Sequence, residues 1–218
     1  MIQQVLRSTA LFADADEATL QRVATQAQTR PLRRGDTLFS EGDTPHSLFV
    51  VTRGRIAIAN KSFDNRESMV ALMEPGDLFG EMGIFDGQGR SAEARALEPS
   101  DVIEIPYEPM IALYQDHPAE LWNVVRLLAA RLRSMDEALA DAVFLDVTGR
   151  TAKRILEIAG DSDEFYLPIT QEELAGMVGA SRERVNKAIA SFIRLGWLAQ
   201  VDRRYIITDR RQLSIRSS

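Results

Sequence analysis

Residues 118 to 145 carry the pattern that most restricts this chain. From Leu121 the apolar residues recur as Leu121, Val125, Leu128, Leu132, Met135, Leu139 and Ala142, at spacings of 4, 3, 4, 3, 4 and 3. The 3.5-residue repeat predicts a long helix with a narrow apolar stripe. One partner helix covers a stripe of that width, whereas a helix lying on a globular core shows a broader face. Parallel self-association into a homodimer is therefore expected, with an intramolecular core helix as the competing reading. Phe144-Leu145-Asp146 breaks the repeat, and Asp146 suits the N-cap of a further helix through Ala159, so a hinge is expected there.

The chain differs on the two sides of this helix. Before it, an amphipathic helix at about Asp16 to Ala27 gives way to short β-type runs: Thr37-Leu38-Phe39, Leu48 to Thr52, Arg55 to Ala59, Met69 to Met73 and Asp101 to Ile105. Glu41-Gly42-Asp43, Arg53-Gly54 and Pro75-Gly76-Asp77 separate them as turns, which predicts a sandwich or barrel. After it, Gly160 to Glu164 is a polar break and Phe165 to Ile169 is extended. Thr170-Gln171-Glu172-Glu173 fits a capping box opening a helix that buries Leu174, Met177 and Val178 and stops at Gly179. Ser181 caps a second helix to about Leu195. Trp197 to Val201 and Tyr205 to Thr208 then flank Asp202-Arg203-Arg204, a β-wing. The expected class is α+β, divided into 1–117, 118–145 and 146–218.

Composition removes several functions. With 218 residues, 45% apolar and 27% charged, the chain has room for two modest cores. Cysteine is absent, which excludes disulfides, thiolate zinc sites, cysteine-ligated clusters and cysteine nucleophiles. The two histidines, His46 and His117, belong to no metal-ligand spacing, so no metal site and no catalytic residues are expected. Nothing approaches the roughly 18 apolar residues of a membrane span, and no signal peptide is visible, so a cytoplasmic protein without membrane contact is expected. The net charge of −6 hides an asymmetry: residues 1–145 hold 14 basic and 22 acidic side chains, residues 169–218 hold 9 and 5.

That basic end coincides with two short helices joined by a tight turn at about 169 to 195, the form of a major-groove reader of double-stranded DNA. Arg182, Glu183, Asn186 and Lys187 are expected on the reading side, and Val185, Ile189, Phe192 and Ile193 on the packed side. Arginine bridges guanine O6 and N7, and glutamate accepts from cytosine N4. Thr170, Gln171 and Ser181, at the helix starts, and Arg203 and Arg204, in the wing, complete the expected DNA-binding set. A solvated helix face carrying Arg-Glu-Arg looks the same in isolation; the capping box, turn and wing together favour the reader.

A second constellation lies at Gly76-Asp77-Leu78-Phe79-Gly80-Glu81-Met82-Gly83-Ile84-Phe85, with Arg90-Ser91-Ala92 following nine residues after Glu81. Glycines free backbone amides, a helix start adds donors, and Arg90 supplies fixed positive charge. Glu81 is misplaced beside a bare phosphate but suits a sugar hydroxyl, which suggests a ribose-phosphate ligand. The competing reading is a Gly-rich turn followed by surface charges.

Phe144-Leu145-Asp146-Val147-Thr148-Gly149-Arg150, Ile169 to Ala175, and Val178-Gly179-Ala180-Ser181-Arg182-Glu183-Arg184-Val185-Asn186-Lys187 resemble the Crp/Fnr family of transcription regulators, and the likeness spans nearly the whole chain. It implies an N-terminal β jelly-roll cyclic-nucleotide-binding domain, a long dimerisation helix and a C-terminal winged helix-turn-helix, in a regulator rather than an enzyme. It implies base contacts from Arg182 and Glu183, with Lys187 where the third reader is usually arginine, on a palindromic TGTGA-like site bound by two subunits. In the cassette, the resemblance gives Glu81 the ribose 2′-hydroxyl, Arg90 and Ser91 the cyclic phosphate, and the backbone at Gly80 and Met82 the rest of the cradle. The implied effector is cyclic AMP or a related cyclic nucleotide, with no tightly bound cofactor and with RNA polymerase as a further partner. One departure stands out. Relatives that respond to cyclic AMP place Thr followed by Ser or Asn where this chain has Met135 and Asp136, so the base must be recognised differently. Cyclic GMP, cyclic di-GMP, activity without ligand, and a structural dimer without DNA binding stay open as alternatives.

Overall fold

The computed structural model describes residues 2–61, 67–167, 169–202 and 204–218. The chain divides into two compact units, Met1–Arg66 with Val70–Leu132 and Glu67–Met69 with Arg133–Ser218.

In the first unit α1 (Ile2–Arg7) and α2 (Glu17–Gln26) precede β1 (Gln28–Leu32), β2 (Thr37–Phe39), β3 (Ser47–Arg53), β4 (Ile56–Lys61), β5 (Glu67–Met73) and β6 (Leu78–Phe79). Then come α3 (Met82–Asp86), β7 (Glu93–Ala96), β8 (Ser100–Pro106) and α4 (Tyr107–Asp116). A single 3-10 turn, Pro118–Glu120, leads into α5 (Leu121–Phe144), which begins in the first unit and ends in the second. The strands form two sheets of order β1-β8-β3-β6 and β2-β7-β4-β5, the double-sheet arrangement of a jelly roll. β3 shows how the period-2 geometry feeds two cores. Leu48 and Val50 join Leu6, Phe12, Leu20, Val23, Ile103, Ile105 and Met110 under the helices. Phe49 and Val51 face the other way, with Leu38, Ile56, Phe79, Ala94 and Val102.

α5 has two faces. Val124 is buried and Leu127 packs beside it on the core under the helices. The heptad stripe stays open: Leu121, Val125, Leu128, Leu132, Met135, Leu139 and Ala142 are all exposed, Leu139 at 64%. The chain's own core therefore leaves uncovered the residues whose spacing asks for a partner.

The second unit continues with α6 (Val147–Ala159), β9 (Glu164–Tyr166), α7 (Gln171–Val178), α8 (Arg182–Arg194), β10 (Leu198–Val201), β11 (Arg204–Ile207) and α9 (Arg210–Arg216), with a small sheet of order β10-β11-β9. Asp146 caps α6 by accepting from the Gly149 amide at 2.8 Å, as the sequence leads one to expect. Among the described residues no helix is long and apolar enough to cross a membrane.

Several elements depart from the sequence reading. α4 falls where only strands and turns were expected, and it holds Pro109. The proline sits in the first turn of α4, whose amides have no intrahelical acceptor to lose. α9 is equally unannounced. It is seven residues long and docks through tertiary contacts: Arg210 donates to Asp163 at 2.9 Å and to the carbonyls of Gly160 and Ser162, both at 2.8 Å, while Arg216 pairs with Asp146. On α8 the packed face is Val185, Ala188, Ile189 and Phe192; Ile193, expected among them, is 38% exposed.

Candidate functional site

The first candidate site begins where β6 ends. Gly80 has φ +80°, and a Cβ there would stand 2.7 Å from Arg90 Nη1 and 3.3 Å from the Phe49 ring, so the position requires glycine. The next residue, Glu81, is fully buried just ahead of α3, and Gly87 ends that helix in the left-handed region. Arg90 enters from the opposite side on a segment pinned to a turn: its amide donates to Asp43 O at 2.9 Å and its carbonyl accepts from the Gly42 amide at 2.8 Å.

Each of the two charged groups is half satisfied. Glu81 Oε1 accepts from Arg131 Nη1, whose other terminal nitrogen donates to Leu78 O; Glu81 Oε2 is buried without a partner among the described residues. Arg90 donates from Nη1 to Gly80 O at 2.8 Å and to the Tyr107 hydroxyl at 3.3 Å, and from Nη2 to Ser47 O at 2.7 Å. Its guanidinium lies 4.1 Å from the centre of the Phe39 ring, and its Nε is buried without a partner among the described residues. Burial lowers the Arg90 guanidinium from its ordinary value, opposed by Tyr107, and it remains a cation. A buried polar atom left unmade costs about 1–3 kcal/mol, so a spare acceptor on Glu81 and a spare donor on Arg90 mark a cradle short of a hydroxyl and an anion. Ser91, exposed at the rim, has its Oγ 3.8 Å from Met82 Sδ. Gly80, Glu81, Met82, Arg90 and Ser91 are thus brought together. Met135 and Asp136 are exposed on the part of α5 that belongs to the second unit.

The second candidate site is the α7–α8 pair. The capping box forms in full: Thr170 Oγ1 accepts from the Glu173 amide at 3.2 Å, and the Thr170 amide donates to Glu173 Oε2 at 2.6 Å. Gly179, at φ +66°, closes α7, and Ser181 caps α8 by accepting from the Arg184 amide. Leu174, Ala175 and Val178 are buried on α7 as Val185, Ala188, Ile189 and Phe192 are on α8, with Trp197 stacked 5.9 Å from Phe192. The packed side of α8 fixes which side is free. Arg182, Glu183 and Lys187 are exposed, and Glu183 and Lys187 form an ion pair of 2.7 Å with both side chains 75% exposed. Lys187 beside it holds the Glu183 carboxyl below the usual carboxylate range. Asn186 is turned partly inward, its Oδ1 buried without a partner among the described residues. Gln171 is half-buried, whereas Thr170 and Ser181 are exposed. In the wing, Arg204 pairs with Glu164 at 2.8 Å, and Arg203 lies outside the described residues.

The cyclic nucleotide-binding domain family matches residues 29–117, and the Crp-like helix-turn-helix domain family matches residues 149–215. The chain is 32% identical to the CRP-like cAMP-activated global transcriptional regulator of Mycobacterium tuberculosis over 99% of this chain and 100% of that protein. The chain belongs to the Crp/Fnr family. Within it, the cAMP-activated global transcriptional regulator CRP of Pasteurella multocida is 34% identical over 70% of this chain and 77% of that protein. The solved structure of the c-di-GMP responsive global regulator CLP of Xanthomonas campestris superposes with a TM-score of 0.76 at 25% identity, covering 88% of this chain and 99% of that one. The protein is accordingly a CRP-like DNA-binding transcription regulator with a cyclic nucleotide-binding domain, and not an enzyme.

As a Crp/Fnr regulator it contains two cradle residues that sequence reasoning passed over, Arg131 and Tyr107. Arg131 lies 50 residues from Glu81, and Tyr107 lies 17 from Arg90. The signal for Arg131 was a cation one residue before Leu132, on a helix read for its apolar stripe and for Met135 and Asp136. Tyr107, following Pro106, gave no signal.

Proposed function

We propose that this regulator acts as a homodimer on a palindromic TGTGA-like operator under the control of cyclic AMP or a related cyclic nucleotide. The observation that carries the ligand reading is the buried pair of half-satisfied groups, Glu81 Oε2 and Arg90 Nε, on one cassette. A ribose hydroxyl donating to the first and a cyclic phosphate accepting from the second would fill both vacant bonds, with Ser91 and the backbone at Gly80 and Met82 completing the phosphate's donors. The open stripe from Leu121 to Ala142 supports the homodimer, since two parallel copies of α5 would cover it. Arg182, Glu183 and Lys187 read bases; Thr170, Gln171, Ser181, Asn186, Arg203 and Arg204 orient the domain on the duplex.

Functionally the chain divides into the nucleotide-binding jelly roll of 1–117, the dimerisation helix and hinge of 118–145, and the DNA-binding domain of 146–218. Ligand binding shifts the equilibrium between two arrangements of the DNA-binding domains to the extent that it binds one better than the other. The regulator works in the cytoplasm and touches RNA polymerase at its promoters. Met135 and Asp136 weaken the case for cyclic AMP itself, because a methionine offers a base no hydroxyl, and cyclic GMP or cyclic di-GMP is the second reading of the effector.

Fluorescence anisotropy of a palindromic TGTGA-type duplex, with and without each nucleotide, tests the proposal on wild type and Arg90→Ala. Tighter binding with one nucleotide, lost in Arg90→Ala, is expected. An affinity that no nucleotide changes sinks the effector reading, and equal affinity for scrambled DNA at matched salt sinks the operator.

A further inference from the structure

Tyr107 opens α4, its amide held by the His46 carbonyl at 3.0 Å and its side chain buried at 7% exposure. A phenylalanine would fill that space equally well, and a buried hydroxyl costs free energy unless it is bonded. This one uses both of its capacities on the cradle. It donates to the Gly80 carbonyl at 2.5 Å and accepts from Arg90 Nη1 at 3.3 Å. It also lies against the first turn of α3, where a Cβ on Gly83 would stand 3.1 Å from it. One oxygen therefore bonds the strand end before Glu81 and the arginine, and lies near the helix that follows.

We propose that the Tyr107 hydroxyl is the positioning group of the cradle, fixing the rotation of the Arg90 guanidinium so that its Nε side is kept for an oxyanion; the proposal rests on the reading of this cassette as a phosphate site. The donor inventory carries it. Of the five N–H groups of an arginine, Nη1 gives its two to Gly80 O and Tyr107, and Nη2 gives one to Ser47 O. Among the described residues that leaves Nε–H and one Nη2 proton. The ring of Phe39, 4.1 Å from the guanidinium carbon, attracts the cation without offering it a directed acceptor. The acceptors set the rotation, and Tyr107 is the one supplied by a side chain from another element. Burial raises the Tyr107 hydroxyl from its ordinary value, so it stays protonated as the donor to Gly80.

Tyr107→Phe in the full chain keeps the ring and removes only the oxygen. Two measurements read the effect: 15N relaxation at Arg90 Nε in the ligand-free protein, assigned by its loss in Arg90→Lys, and calorimetric titration with cyclic AMP, cyclic GMP and adenosine. In the variant, Arg90 Nε becomes more mobile and cyclic nucleotide binding weakens about tenfold. Adenosine, which lacks the phosphate, binds as to wild type. Unchanged order at Arg90 Nε overturns the proposal, and so does an equal loss for cyclic AMP and adenosine, which is the mark of a merely structural tyrosine. If wild type takes up neither cyclic nucleotide while Arg90 is still loosened in the variant, the cyclic nucleotide reading fails and the positioning of Arg90 stands.

Discussion

Arg131 on α5 holds Oε1 of the fully buried Glu81 and, through its second terminal nitrogen, the carbonyl of Leu78. The cassette carboxylate is thus neutralised from the long helix, and the partner that does so is 31% exposed.

Arg131→Ala should therefore destabilise the first unit, because it leaves a buried carboxylate with no cation beside it. Breaking a buried pair from one side costs roughly 3 kcal/mol, with less expected here since Arg131 is partly open to water. Glu81→Gln in the Arg131→Ala background should recover much of the loss, because a neutral amide needs no counter-charge. Urea unfolding of the two single variants and the double variant gives the coupling. Additive losses would mean that the pair contributes nothing.

At the other end of the helix, Asp146 caps α6 and also pairs with Arg216 of α9. The Gly149 amide first, and then Arg216, hold its carboxyl below the usual carboxylate range. A folded-state value lowered in this way adds stability above the unfolded value of about 3.9, and that stability is lost as pH falls through the folded value. Asp146→Asn keeps the cap and removes the charge, so the variant should be less stable at pH 7 and converge on wild type only as pH falls from about 4 through the lowered folded value. With Asp146 63% exposed, the difference at neutral pH should stay under about 1 kcal/mol. Denaturant midpoints followed by Trp197 fluorescence in a Trp122→Phe background decide it. A gap independent of pH would place the effect in the cap rather than in the charge.

Much of this was legible from local pattern. The capping box at Thr170 and Glu173, the stop at Gly179 and the serine cap at Ser181 depend on residues within a few positions of one another, and the heptad stripe is a periodicity. The cradle was legible where its residues are close in sequence, from Gly80 to Ser91. Arg131 and Tyr107 escaped because only the fold brings α5 and the start of α4 to the cassette. β6, two residues long, and α9, held by Arg210 and Arg216, escaped because neighbouring elements stabilise them more than their own composition does.

The open stripe on α5 gives a prediction that separates folding from association. Leu132 and Leu139 are 60% and 64% exposed, so a charged replacement removes little burial within the chain. Leu132→Glu with Leu139→Glu should keep the circular dichroism of wild type, and lose the dependence of the thermal midpoint on protein concentration, while shifting sedimentation equilibrium from dimer to monomer. Operator affinity should fall with it, because one subunit then reaches one half-site. A double variant that still sediments as a dimer would show that the stripe is not the seam.

Specificity should reside in a pair that is weak in the free protein. Glu183 and Lys187 sit four residues apart on α8 and are both exposed, so water screens the pair and exchanging it for DNA contacts costs little. Glu183 in a groove lined by phosphates is favourable only if it accepts from a base, which makes cytosine N4 its target. Glu183→Gln should leave nonspecific binding nearly unchanged, or tighten it, and relax discrimination at one base pair by about 1–3 kcal/mol. Arg182→Ala should lose a similar amount at a neighbouring guanine. Lys187→Ala discriminates two roles for the lysine: a phosphate contact lowers the salt slope by about 1 with no change in base preference, and a base contact changes preference at the outer position. Competition anisotropy with singly substituted half-sites over a salt series reads all three. If Glu183→Gln weakened every sequence alike, the carboxylate would be organising α8 through Lys187 rather than reading DNA.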